Sequence, residues 1–157
     1  MALPEGFTIR CASTADLETL VAHRRAMFQD MGHSDDAALS SMSAKFRTWV
    51  LEHMSAGDYL AWLVSVPDGS IVAGAGLWLM DWPPHMIGRC DRRANIVNVY
   101  TAEAFRRRGL ARRLMEAVLT WCSEHGIDTI ILHASSEGRS LYESMGFKAT
   151  NEMRLLH

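Results

Sequence analysis

Apolar residues recur along this chain in two rhythms, and each change of rhythm marks an element. Residues 7–12 alternate Phe7, Ile9 and Cys11 with Thr8 and Arg10, which predicts a short strand. Ser13 with Asp16 three positions on is a helix N-cap with its carboxylate. Leu17, Leu20, Val21, Met27, Phe28 and Met31 then repeat at helical spacing until Gly32 stops them. A second helix starts at Ser34 or Asp35 and aligns Leu39, Met42, Phe46, Trp49, Val50 and His53, so the two helices form a hairpin. Residues 59–66 and 71–80 are β-rich and joined by Pro67-Asp68-Gly69-Ser70, the chemistry of an antiparallel turn. Gly74 and Gly76 lie inside the second run, where glycine marks a bulge or a close backbone approach.

Residues 81–89, with Pro83 and Pro84, predict a loop whose Trp82, His85 and Met86 either line a pocket or pack on their own loop. Residues 96–101 alternate again as a strand, and a basic turn follows. Leu110, Leu114, Val118, Trp121 and Cys122 then form one face of a helix that ends at His125-Gly126. Residues 129–134 are apolar enough to predict a strand covered on both faces. Strand, helix and strand make a right-handed parallel unit. Ser135 caps a short helix with Leu141 and Met145 on one side and Gly146 at its end, and a further strand is expected around Met153, Arg154, Leu155 and Leu156. The class is α/β, with a mixed sheet.

Composition narrows this picture. At 157 residues, 48% hydrophobic and 22% charged, the chain reads as one soluble domain over residues 1–157. No apolar run approaches the ~20 residues of a membrane helix, and the N-terminus has neither a basic head nor a hydrophobic signal core, so a cytoplasmic location without a membrane partner is expected. A net charge of −2 gives no general attraction to nucleic acid, and none is expected as a partner. Arginines nevertheless concentrate at Arg89, Arg92 and Arg93 and again from Arg106 to Arg113, a cluster read as cofactor binding. Cys11, Cys90 and Cys122 have no disulfide or zinc spacing, so they read as buried thiols and no metal is expected.

The candidate chemistry sits where Ile96-Val97-Asn98-Val99-Tyr100-Thr101 runs into Arg106-Arg107-Arg108-Gly109-Leu110-Ala111. A strand feeding a glycine turn and a helix N-terminus aims backbone N–H groups and a helix dipole at one point, so the expected ligand carries phosphate. Gly109 has no Cβ, Ala111 is small, and Leu110 can face the core. The chain has neither a Walker A loop nor the G-x-G-x-x-G of dinucleotide folds here.

The spacing Arg106-x-x-Gly109-x-Ala111 is an R/Q-x-x-G-x-G/A signature, and Leu141-Tyr142-Glu143-x-x-Gly146-Phe147 follows it. On these two motifs the chain resembles the GNAT superfamily of acyl-CoA-dependent N-acetyltransferases, over roughly residues 94–147. The resemblance implies a central mixed sheet with splayed central parallel strands, flanked by about four helices. It implies acetyl-CoA as cosubstrate, with its pyrophosphate wrapped by Arg106, Arg107, Arg108, Gly109, Leu110 and Ala111 and with Arg112 and Ser135 as further contacts. Val99, Tyr100 and Thr101 match the pantetheine positions, and Tyr142 the tyrosine at the sulfur. Two positions depart from the family pattern: Ser135 stands where Asn is frequent and Gly138 where Ala is. In similar proteins the helical hairpin overlies the acceptor, which makes Arg24, Arg25, Met27, Phe28 and Asp30 candidate contacts, although such a stripe also serves a core.

The implied reaction is acetyl transfer to a primary amine of a small molecule or peptide. An amine of pKa near 10.4 must first lose a proton. A backbone N–H near Val99 would then steady the carbonyl oxygen, and Tyr142 would act as general acid, worth roughly 10²–10⁴ in rate. The cysteines lack a partner histidine, which disfavours a covalent route. The base stays open among Glu103, Asp30, Glu52, Asp81, His85, His133 and a water relay. Mild overall acidity favours a cationic acceptor over tRNA. A non-catalytic acyl-CoA-binding or regulatory domain is the alternative, since it would keep the glycine turn but need no Tyr142. A nucleic-acid-modifying transferase would need a basic face near the acceptor helices. A homodimer is a further option, through the terminal strand or otherwise.

Overall fold

The computed structural model describes residues 3–157. Five strands form one sheet in sequence order: β1 (Thr8–Cys11), β2 (Tyr59–Ser65), β3 (Ile71–Asp81), β4 (Arg92–Thr101) and β5 (Ile130–Leu132). The first three junctions are antiparallel and β4 runs parallel to β5. Four α-helices flank it: α1 (Leu17–Asp30), α2 (Asp36–Ala56), α3 (Leu110–Glu124) and α4 (Arg139–Ser144). Among the described residues no helix is long and apolar enough to cross a membrane.

Strand alternation divides the core in two. Trp62, Val64, Ala75, Leu77, Ala94 and Ile96 meet Leu110, Leu114, Met115 and Val118 of α3 on one face. Tyr59, Ala61 and Leu63 turn to the other face and meet Leu20 and Val21 of α1 and Phe46 and Val50 of α2. The capping box at Ser13 and Asp16 forms as expected, but it caps a single 3₁₀ turn (Thr14–Asp16) that leads into α1. Arg10 grips the Asp16 carboxylate with both terminal guanidinium nitrogens, at 2.8 and 2.7 Å, and that pairing holds the Asp16 pKa down at about 2.

Several expectations are corrected. Of the two expectations at Gly74 and Gly76 the close approach holds, and the bulge beside them adds its extra residue to β4: Gly74 pairs with Tyr100 and Gly76 with Val97, so Ala75 faces both Asn98 and Val99. The glycines give the partner room. A Cβ at Gly76 would stand 2.1 Å from the Tyr59 hydroxyl, and one at Gly74 3.1 Å from His23 Nδ1. β4 begins at Arg92, ahead of the expected residue 96, so Arg93 lies far from the glycine turn and stacks on Trp82 at 4.0 Å. Arg92 sits 3.9 Å from Asp81, and these arginines are not part of the cofactor cluster.

β5 is shorter than residues 129–134 and only half-buried, because its pairing with β4 ends at Ile96 and Leu132. No strand forms near residue 153; Met153, Leu155 and Leu156 are exposed. Of the thiols, Cys122 is buried, Cys90 half-buried and Cys11 exposed.

Candidate active site

The bulge makes the site. Asn98 takes the left-handed conformation at φ 56°, which Asn tolerates better than a branched residue. Its amide is anchored in two directions. Nδ2 donates to the Tyr59 hydroxyl at 3.0 Å, and Oδ1 accepts from Arg24 Nη1 at 2.6 Å. β4 bends there, and β5 does not follow past Leu132. Ala102 N–H bonds Val72 on the β3 side at 2.8 Å, so alternation turns the N–H groups of Thr101 and Val99 to the opposite, unpaired edge. The central parallel strands are therefore splayed. The gap opens into a cleft of 1510 Å³.

At one end of the cleft lies the glycine turn. Arg107 at φ 60° and Gly109 at φ 75° both sit in the left-handed region, and Gly109 caps α3. This curl leaves the backbone N–H groups from residue 107 to residue 112 without a backbone acceptor among the described residues. Six such donors at a helix N-terminus fit a phosphate group.

The turn's arginines divide their work. Arg106 bonds the Thr101 carbonyl through Nε at 2.9 Å and pairs with Asp30, so it ties the turn to β4 and α1. Arg108 does not line the cleft; it bonds the Ala104 carbonyl at 3.2 Å and stacks on Phe105. Arg107 is exposed at the rim, and Arg112 bridges to Ser144 of α4 at 2.6 Å.

Tyr142 lines the same cleft from α4, half-buried, and burial raises its hydroxyl above the ordinary tyrosine value, so it holds its proton at neutral pH. Gly138 packs against this ring. The Cβ of an alanine there would lie 2.9 Å from Tyr142 Cε2, so the departure from the family pattern sets where the tyrosine rests. Ser135 Oγ accepts from Gly138 N–H at 3.1 Å and caps this segment.

Val99, Tyr100, Thr101, Arg106, Arg107, Gly109, Leu110, Ala111, Arg112, Ser135 and Tyr142 thus share one cleft with Arg24, Met27, Phe28 and Asp30. Arg25 instead pairs with Asp36 outside it. Trp82, His85 and Met86 are exposed and belong to the far loop, where Ile87 N–H bonds His85 Nδ1 at 3.0 Å. Of the candidate bases, Asp30 and His133 line the cleft, whereas Glu52, Asp81, His85 and Glu103 do not. Asp30 is engaged by Arg106, and His133 by Glu152 at 2.9 Å. Sequence reasoning missed the partners of the bulge: Tyr59, buried and raised to about 12, and His23, whose ring lies 4.9 Å from that of Tyr100. Their signal was a polar Asn98 inside a strand that is otherwise rich in Ile and Val.

Solved acetyltransferases have a similar fold. A GCN5-related N-acetyltransferase from Ralstonia eutropha is 35% identical over 97% of this chain and 99% of its own, with a TM-score of 0.90. A predicted acetyltransferase from Clostridium acetobutylicum, solved with acetyl-CoA, is 24% identical over 96% of both chains at a TM-score of 0.88. The aminoglycoside N-acetyltransferase AAC(6')-Iy, in complex with CoA, is 20% identical over 99% and 98%, at 0.69, and shares the fold. A search of curated proteins returns no match. The sequence model of the acetyltransferase (GNAT) family matches residues 19–147, and the chain belongs to that family.

Proposed function

We propose that the protein, acting as one domain in the cytoplasm, transfers the acetyl group of acetyl-CoA to a primary amine of a small molecule or peptide by direct attack. The observation that carries this reading is the meeting, in one cleft, of an unpaired β4 edge, the free N–H groups of the glycine turn and a protonated tyrosine. Bound acetyl-CoA would supply a thioester carbonyl and a thiolate leaving group. The N–H groups of residues 107–112 would hold its pyrophosphate, with Ser135 at the same wall. Val99 N–H would face the carbonyl oxygen as charge develops there. The Tyr142 hydroxyl would give its proton to the departing sulfur. No protein base is assigned to the amine, and its proton leaves through water in the open cleft.

Self-association as a homodimer through Met153, Leu155 and Leu156 is proposed with it, to be checked by light scattering of the wild type and a Leu155→Glu variant. The test of mechanism is Tyr142→Phe. Turnover should fall about 10²-fold or more while acetyl-CoA still stabilises the fold. Unchanged turnover would remove Tyr142 from the chemistry. Acetyl-CoA binding with no thiol release for any amine would favour a non-catalytic acyl-CoA-binding domain.

A further inference from the structure

Arg24 differs from its neighbours in what it lacks. Arg25, Arg47 and Arg106 each meet a carboxylate, on Asp36, Glu18 and Asp30 respectively. Arg24 bonds only the neutral amide oxygen of Asn98, 2.6 Å from Nη1, and its Nε is buried without a partner. No ion pair forms at this guanidinium among the described residues. The ring centroids of Phe46 and Phe28 lie 4.7 and 5.2 Å from its Cζ, so the group rests against two aromatic faces. Burial lowers its pKa from the usual arginine range. A guanidinium cannot shed its charge as a buried lysine can, so a partly desolvated one among neutral neighbours costs free energy until an anion joins it.

Arg24 lines the cleft, and of its nitrogens only Nε is both enclosed and unpartnered. Its anchor Asn98 adjoins Val99, so the guanidinium stands beside the stretch of β4 where transfer is proposed. Asp30, the carboxylate on the same helix that also lines the cleft, is held by Arg106. The overall charge of −2 pointed to a cationic acceptor, but at this wall of the cleft Arg24 places a positive charge with no carboxylate partner.

Resting on the transferase reading above, we infer that the acceptor amine carries an anionic group of its own, a carboxylate or a phosphate, and that Arg24 binds it. The planar fork is already oriented by Asn98 and the two rings, so little ordering is left for binding, and both kinds of oxyanion suit its paired N–H groups. The protonated amine of such an acceptor would lie toward Val99, and its charge would be partly balanced by its own anion.

The full-length protein is tested with matched amines: an amino acid against its carboxamide, and an amino-alkyl phosphate against the amino alcohol. Binding to the CoA-saturated protein is read by calorimetry and turnover by thiol release. The anionic member of at least one pair should be preferred about 10-fold or more. The pair that shows it tells carboxylate from phosphate. Arg24→Gln should bring the members within about twofold by weakening only the anionic one. Because Arg24 also braces the bulge, Asn98→Asp serves as a second variant. It keeps Arg24 but supplies an internal carboxylate, and it should erase the preference in a folded protein.

Equal handling of the charged and neutral members by the wild type overturns the proposal, whether read in binding or turnover. A loss in Arg24→Gln that falls equally on both members, or on CoA binding, also overturns it. Failure of the transferase reading shows separately, as no thermal stabilisation by acetyl-CoA or as no thiol release with any member of either pair.

Discussion

His23 makes acid stability a test of how α1 packs on the sheet. Its ring is buried against Tyr100 and the Gly74 backbone, and burial brings its pKa down to about 4. An unfolded histidine titrates near 6.5, so below about that pH the unfolded chain takes up a proton that the native state refuses. This contribution is intact above about pH 6.5, falls as pH drops toward about 4, and is flat below it. At 1.36 kcal/mol per unit the full loss is roughly 3 kcal/mol, of which about 2 kcal/mol is spent between about pH 7.5 and pH 5. For a chain of this size that is a fall in Tm of roughly 4–8 °C. His23→Gln removes the titration, so thermal melts of the two proteins should converge by that amount as pH is lowered. Parallel Tm curves for wild type and His23→Gln across this range would refute the burial argument.

Three other outcomes follow from single contacts. Gly76→Ala forces its Cβ onto the Tyr59 hydroxyl, 2.1 Å away, so Tyr59 shifts and loosens its bond to Asn98; overpacking should cost about 1–3 kcal/mol, read as a lower urea midpoint at unchanged m. Gly109→Val puts a β-branched residue at φ 75°, at a cost of roughly 1–2 kcal/mol, and should abolish stabilisation by acetyl-CoA, measured by melts with and without it. Asp16→Asn should lower stability at neutral pH by no more than about 1 kcal/mol, because its partner Arg10 is half exposed. Asp16 titrates at about 2, against near 4 when unfolded, so that difference should vanish as pH falls through this window.

The parts of the fold set by short-range pattern were legible in the sequence. Helical spacing located α1, α2 and α3, and Pro67-Asp68-Gly69 located the β2–β3 turn, because each depends on neighbours a few positions away. The glycine turn was legible for the same reason, since the φ of Gly109 and the orphan N–H groups are local properties. Long-range pairings were not. Gly74 and Gly76 announced a bulge or a close approach; they make the close approach, while the bulge's extra residue, Asn98, lies on the partner strand. The pairing of the Arg106 guanidinium with Asp30, remote in sequence, and with the Thr101 carbonyl could not be read from the turn's spacing. Arg92 and Arg93 read as part of a basic cluster, yet β4 carries them to its opposite end. β5 read as a fully covered strand from its composition, but its cover depends on how far β4 stays beside it.

The central claim is that the Gly109 turn and the open β4 edge hold acetyl-CoA, and thermal unfolding with and without it tests this most directly. At about a hundred times the dissociation constant, binding to the native state alone adds roughly 2.7 kcal/mol, a rise of about 5–11 °C for a domain of this size. That rise is expected with acetyl-CoA and none with acetate. An unchanged Tm at millimolar acetyl-CoA and at millimolar CoA would contradict it.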